Sequence, residues 1–289
     1  MLHLLGDDSA LCTEILRVLH EKSGDAPLFP ERVSVSPAAF AVLLLLGRGP
    51  VQQGLSSEPC LIFNKRSIKV KQPGDLCFPG GRMTPGSDLY LSRILRLPLF
   101  PLSRWPYWEH WKRLRPTEAR RLSLLLAASL REGLEEMRLN PLGVTFLGPL
   151  PRQRLEMFDR VIYPMAGWMG RQRRFFPNWE VEKIVYIPIR DLLNPKGYGC
   201  YRLQMGPGPE IASSRVRTHS TRCTAQDFPC FVYRKGNERE VLWGATYRIT
   251  LFFLHLVLGF TPPPVKTLPI IEGALNDAYL TGARTLRTA

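Results

Sequence analysis

The chain has six cysteines (Cys12, Cys60, Cys77, Cys200, Cys223 and Cys230) and no CxxC pair among them. Zinc ribbons and thioredoxin-type redox sites need cysteines at that short spacing, so neither is indicated. An even count is not by itself a disulfide framework, because 289 residues far exceed the small domains that depend on such staples. The thiols are read as free and mostly buried, in a reducing, cytoplasmic setting. The opening MLHLLGDDSALC lacks a signal-peptide pattern, and the closing RTA is not a recognised peroxisomal address. No apolar run reaches the roughly 20 residues that a membrane span requires. The longest, ITLFFLHLVLGF from Ile249 to Phe260, reads as a core helix. Histidine is scarce: His3, His20, His110, His219 and His255 show no metal-ligand spacing, and His255 is expected to be a satisfied core residue. Acidic residues are also short, 25 against 39 basic ones, which leaves a net charge of +14. That surplus points to a polyanionic partner without choosing between nucleotide, phosphorylated metabolite, RNA and anionic lipid.

Hydrophobic residues make up 45% of the chain, enough for a sizeable core. Residues 8–22 carry helical apolar spacing after an Asp/Ser start. SVSPAAFAVLLLLG, PCLIFNKRS, GVTFLGPL, RVIYPMAGWM and EKIVYIPI read as strands, the last followed by a short helical RDLL. CFVYRK and REVLW form a hairpin around GNE. TEARRLSLLLAASLREGLEEMRL is a strong helix: Thr117 can cap it, Pro116 lies just outside, and Leu124, Leu125, Ala128 and Leu134 supply its apolar stripe. GATYRITLFFLHLVLG is a second strong helix. No internal repeat is present. Strands alternating with strong helices imply an α/β (α+β) fold, a curved mixed sheet between helices.

Within the first strong helix, REGLEEMRL places Glu132, Glu135 and Glu136 at i, i+3 and i+4, on one face. Three carboxylates so close repel one another, unless a cation sits among them. Hard divalent ions such as Mg²⁺ favour that oxygen set. Arg131 can orient a carboxylate by bidentate hydrogen bonding. A solvated acidic face is the bland alternative. Upstream, CFPGGRMTPGSD is a loop of fixed shape whose glycines, Gly80 and Gly81, let the backbone approach a ligand closely.

A Gly-rich turn leading to a helix that carries RE-x-x-EE resembles the Nudix hydrolases. Their box reads G-x5-E-x7-R-E-U-x-E-E-x-G-U, where U is a bulky aliphatic residue. Arg131, Glu132, Glu135, Glu136 and Leu139 match it. Gly81, however, lies 50 residues before Arg131, much farther than the family box allows, so an insertion of about residues 89–122 must part loop from helix. Gly133 replaces an aliphatic residue, and Arg138 replaces the glycine that ends the helix. The surrounding text is similar to one branch, the coenzyme A diphosphatases. NKRSIKVKQPGDLCFPGG (Asn64–Gly81), NWEVEKIVYIPIRDLL (Asn178–Leu193) and WGATY (Trp243–Tyr247) carry that likeness, and Asp88 sits where the branch often has an acid.

The resemblance implies a Nudix-type α/β/α sandwich spanning residues 31–262, after a helical lead over 1–30 and before a tail over 263–289. It implies hydrolysis of the diphosphate of coenzyme A or acyl-CoA to 3′,5′-ADP and a phosphopantetheine. Mg²⁺ or Mn²⁺ would be held by Glu132, Glu135 and Glu136, the Gly81 carbonyl and a later acid, Glu180 before Glu182. Arg131, Glu132, Glu135 and Glu136 would be catalytic. Arg66, Lys69, Lys71, Phe78, Gly80 and Gly81 would contact substrate. Alternatives are another nucleoside diphosphate derivative (NADH, ADP-ribose, capped RNA) or a non-catalytic Nudix-like binding protein. A homodimer stays open, and nucleic acid is the less favoured partner.

The insertion carries eight basic residues against two acidic ones, interleaved with Trp105, Tyr107, Trp108 and Trp111. That pattern suits stacking on nucleotides, a membrane surface or a lid over the substrate. The favoured reading is a helical hairpin packed on the domain or on a twin subunit. Cys77 is expected to be packed rather than nucleophilic.

Overall fold

The computed structural model describes residues 2–23, 28–30, 33, 36, 38–50, 58–155, 160–172, 174–205, 225–275 and 279. Cys223, His219 and the rest of the polar stretch 206–224 fall outside them, as do most residues after 275.

In chain order the elements are α1 (Asp8–Lys22), β1 (Ala39–Arg48), β2 (Pro59–Arg66), β3 (Leu76–Cys77), β4 (Gly80–Arg82), α2 (Ser87–Ile94), α3 (Trp108–Leu114) and α4 (Pro116–Met137). Then follow β5 (Val144–Pro149), β6 (Gln153–Leu155), β7 (Arg160–Met169), β8 (Val181–Pro188), α5 (Ile189–Leu192), β9 (Tyr198–Met205), β10 (Ala225–Lys235), β11 (Glu238–Trp243), α6 (Gly244–Leu258) and β12 (Ile270–Leu275). The expected mixed α/β layering is therefore present.

The main sheet runs β3-β2-β1-β7-β5, with β4 on β1, β6 on β7 and β8 on β2. β1 and β7 are parallel, and the other pairings are antiparallel. β1 is nearly all apolar because both of its faces are covered. Ala39, Ala41, Leu43 and Leu45 pack in one core with the α4 residues Leu122, Leu125 and Ala128. Leu44 and Leu46 point the other way, into a core shared with Leu11, Ile15 and Leu19 of α1 and Phe253 and Leu254 of α6. The sheet is thus sandwiched between α4 and the α1/α6 layer. A second sheet, β11-β10-β9-β12, stands beside it. Its β10–β11 hairpin turns through Gly236 and Asn237, as the sequence implies.

Four local expectations are corrected. Pro116 is the first residue of α4 rather than lying outside it, and Arg115 is the N-cap, with no side-chain capping bond; Thr117 caps nothing. Proline suits that first turn because the missing N–H has no intrahelical partner there anyway. Leu134 is exposed and outside the apolar stripe. His255 is exposed on α6, its Nδ1 3.2 Å from the Phe260 carbonyl, so it is not a core residue. Phe78 is buried and stacks on Phe63 with centroids 4.8 Å apart, which makes it core and removes it from the set of substrate contacts.

The insertion forms α2, a series of turns, α3 and the start of α4. Trp105, Trp108 and Trp111 are buried in the α4-side core, and Trp105 packs edge-on against Phe146 with centroids 5.1 Å apart. Those rings are spent on packing, which excludes them as an exposed stacking platform. Among the described residues no helix is long and apolar enough to cross a membrane.

Candidate active site

The turn after β3 returns to α4 despite the long detour between them. β4 pairs with β1, Ala41 facing Gly81 and Val42 facing Gly80. Leu43 N donates to the Pro79 carbonyl at 2.8 Å. This clips the glycine turn to the strand on which α4 rests. Gly80 N then donates to Glu136 Oε2 at 3.2 Å. At Gly81 a Cβ would come 2.5 Å from both Cδ and Oε1 of Glu132, so only glycine allows this approach.

The three glutamates divide their environments. Glu136 is 7% exposed, and its Oε2 also accepts from Asn64 Nδ2 at 2.8 Å. Glu132 is partly buried against the turn. Glu135 faces solvent, its side chain 56% exposed. Arg131 binds the group together. Its Nη1 donates to Glu132 Oε1 at 2.9 Å and to Glu135 Oε2 at 3.2 Å, and its Nη2 to the Arg82 carbonyl at 3.0 Å. Its Nε donates to Asp88 Oδ1 at 2.7 Å. Asp88, at the start of α2, is buried and also accepts from Thr84 N at 2.6 Å. The residue just before the insertion therefore contributes an anchor to the site. Burial works against the charge on Arg131, but Asp88 and Glu132 outweigh it and hold the guanidinium more firmly protonated than usual.

Burial lifts the Glu136 carboxyl to about 8, and the charges of Glu132 and Glu180 push the same way, against the Gly80 N–H and Arg66. Burial also raises Glu132, with Arg131 opposing it. A buried carboxyl beside other carboxylates is held neutral unless a cation compensates it. Asn64 Oδ1 is a further buried oxygen without a hydrogen-bond partner among the described residues. The donor set is all oxygen, and its charge is negative. That chemistry fits a hard divalent cation. Among the described residues no three acidic, cysteine or histidine side chains already converge in metal-holding geometry, because Glu135 is turned towards Arg131 and Glu136 inwards.

The other expected residues scatter. Glu180 lies at the entry to β8, its carbonyl accepting from Ser67 N at 2.8 Å, and Glu136 feels its charge. Glu182 instead bridges to Lys65 at 3.3 Å. Arg66 is near enough to act on Glu136, with its Nε held by the Lys71 carbonyl at 2.7 Å. Lys69 and Lys71 are exposed in the turn beyond β2. Cys77 is packed, with burial raising its thiol to about 12. Sequence reasoning gave no role to Asn64, and it noted Asp88 without assigning a partner. A polar residue inside the otherwise apolar β2 was the available signal for Asn64.

No protein-family model and no curated protein matches the sequence. Solved structures do resemble the fold. A Nudix hydrolase from Alicyclobacillus acidocaldarius is 16% identical, over 55% of this chain and 82% of its own, with a TM-score of 0.35. A C. elegans Ap4A hydrolase is 12% identical over 54% and 83%, with a TM-score of 0.33. The Nudix domain of Shewanella oneidensis NrtR, solved with ADP ribose, is 12% identical over 60% and 85%, with a TM-score of 0.32. Likeness at this level says nothing of chemistry, which is read from the residues themselves.

Proposed function

We propose that the chain is a divalent-cation-dependent diphosphatase of the Nudix type, acting on coenzyme A or acyl-CoA to give 3′,5′-ADP and a phosphopantetheine. One observation carries this reading: the Gly80–Gly81 turn lies against Glu132 and Glu136 in spite of the insertion. The coenzyme A assignment is supported by the NKRS–FPGG, NWEVEKIVYIPIRDLL and WGATY segments. A cytoplasmic location is part of the same proposal.

Glu132, Glu135 and Glu136, with the Gly81 carbonyl and Glu180, would hold Mg²⁺ or Mn²⁺. Such an ion neutralises charge on the diphosphate and lowers the pKa of bound water. The chain's own residues do the rest. Arg131, locked by Asp88, fixes the orientation of the Glu132 carboxylate. Glu132, with its raised pKa, accepts the proton of the attacking water at Oε2, a contribution of roughly 10²–10⁴-fold for a positioned base. Arg66, near enough to act on Glu136, would meet the departing phosphate oxygens.

The test is product identification after incubation with Mg²⁺ or Mn²⁺ and coenzyme A, acyl-CoA, NADH, ADP-ribose and capped RNA. Release of 3′,5′-ADP supports the proposal. Cleavage of only the other compounds moves the substrate class, and tight binding without any cleavage points to a non-catalytic binding protein. Glu135→Gln, an exposed position, is expected to abolish turnover while leaving the melting curve unchanged.

A further inference from the structure

We infer that a cavity of about 610 Å³ along the outer edge of β8 seats the nucleotide end of the substrate, a purine-type base stacked on its exposed Phe176 and a ribose-bound phosphate beside Arg174 and Lys235. This rests on the diphosphatase reading above and goes beyond it by naming which end of the substrate lies where.

Among the described residues β2 is the sole strand partner of β8, and the other edge of β8 opens on the cavity. The opposite wall is the segment 174–177. It is fixed rather than loose: Phe176 N donates to the Met137 carbonyl at 3.0 Å and Asn178 N to the Glu136 carbonyl at 2.8 Å. The cavity thus hangs from the last turn of the helix that bears the carboxylates. Ile184, which lines it, sits in register opposite Asn64, and Asn64 donates to Glu136. Directly opposed residues on one sheet face lie about 5 Å apart at Cβ. A group attached to a diphosphate at the carboxylates therefore reaches the cavity within one side chain.

The walls suit a flat ring. Phe175 and Tyr186 pack on each other with centroids 6.4 Å apart and form one aromatic wall, and Tyr233 also lines the cavity. Phe176 is 63% exposed on its fixed segment, a large apolar ring held in water beside the site. Base stacking on such a ring is favourable for any purine.

The charges sort the occupant. Glu182, Glu238 and Glu240 share two cations, Lys65 lying 3.3 Å from Glu182 and Glu240, and Lys183 2.8 Å from Glu238 and 2.9 Å from Glu240, which leaves one negative charge over. Arg174 and Lys235 form no ion pair among the described residues. These four cations exceed the three carboxylates by one, and Arg174 and Lys235 are the two outside those ion pairs, which suits a phosphate better than a neutral pantetheine arm.

The experiment is equilibrium binding, without added divalent cation, of 3′,5′-ADP, 5′-AMP and pantetheine to the full chain and to Phe176→Ala and Lys235→Ala. Both side chains lie at the cavity mouth, and thermal melts check that the variants fold. Wild type is expected to bind 3′,5′-ADP more tightly than 5′-AMP. Phe176→Ala should weaken both about 5- to 150-fold, the range for losing one stacked base. Lys235→Ala should remove the preference for the additional phosphate. Absence of 3′,5′-ADP binding, binding unchanged by Phe176→Ala, or a Phe176-dependent affinity for pantetheine alone each overturns the inference. Failure of the diphosphatase reading would show separately, as no product from any diphosphate while nucleotide binding persists.

Discussion

Arg131 Nε lies 2.7 Å from Asp88 Oδ1, although the two residues are 43 apart in the chain. The pair joins the two flanks of the insertion, the residue just before it and the helix that follows it. Their side chains are 14% and 3% exposed, so water does little to screen them. Removing one partner of such a pair strands the other charge, at a cost of about 3–5 kcal/mol. Asp88→Asn is expected near the lower end of that range, because Glu132 still accepts from Arg131. Urea unfolding measures it. A loss below about 1 kcal/mol would mean that the pair is not structural.

The two glycines of the turn should fail in different ways. A Cβ at Gly80 would collide with the Ala41 carbonyl and lie 2.6 Å from Val42 Cα, both backbone atoms of β1 that cannot move aside. Gly80→Ala is expected to cost about 1–3 kcal/mol of stability as an overpacking change. At Gly81 the obstacle is the end of the Glu132 side chain, which can rotate away. Gly81→Ala should therefore fold nearly normally and lose activity, on the order of 10²-fold for a displacement of about 1 Å. Parallel melting curves and initial rates separate the two.

Most of the main sheet and its helices were legible because their signals are local. Apolar runs bounded by Gly and Pro located β1, β2, β7 and β8, and the helical period located α1, α4 and α6. The acidic face of α4 was legible for the same reason. Contacts made across the insertion were not. Nothing in the spacing ties Asp88 to Arg131, or Asn64 to Glu136, because those pairings arise only when β2, β4 and α4 come together. At the insertion, composition left a surface role open beside the favoured packed hairpin. Alternating tryptophan and arginine looks like a surface pattern, yet the rings turn inward while long basic side chains stay wet, as with Arg115 over Trp111 at 5.0 Å. At His255 the expectation did err: an apolar run suggested burial, whereas one face of α6 meets solvent.

If Trp111 is packing rather than recognition, its removal should register as stability. Trp111→Ala is expected to cost about 3–5 kcal/mol, the range for deleting a fully buried large aromatic. Substrate KM should stay within about twofold at a temperature where the variant remains folded. A KM change without a stability change would restore the ligand-stacking role.

Asp75 supplies a pH dependence. Its carboxylate accepts from Tyr279 Oη at 2.6 Å and Trp243 Nε1 at 3.0 Å, tying the segment at Tyr279 to the turn before β3. Burial raises it from 3.8 to about 6, with those two donors opposing. A carboxyl whose folded pKa is raised takes up its proton more tightly when folded, so its contribution is fully present below about pH 4 and is lost as pH rises through about 6. Unfolding free energy is expected to fall across that window, and the decline should be shallower in Asp75→Asn. An identical slope in the two proteins would remove Asp75 as its source.

The end of α4 offers a substitution that should stabilise. Arg138 is the C-cap, at φ 56° and ψ 36°, in the left-handed region. Its N–H donates to the Leu134 carbonyl at 3.1 Å, and Leu139 N to the Gly133 carbonyl at 3.1 Å, so the termination bonds are all made. The resemblance places glycine here, and the backbone conformation is the one glycine favours; only the residue differs. A side chain in that region costs roughly 1–2 kcal/mol through contact of Cβ with the following carbonyl. Arg138 is exposed, so little packing is lost with it. Arg138→Gly is expected to raise stability by about 1 kcal/mol, after the greater freedom of glycine in the unfolded chain offsets part of the relief. Denaturant midpoints at constant m-value measure the change. A destabilised variant would show that the Arg138 side chain supports the helix end by a contact stronger than the strain it carries.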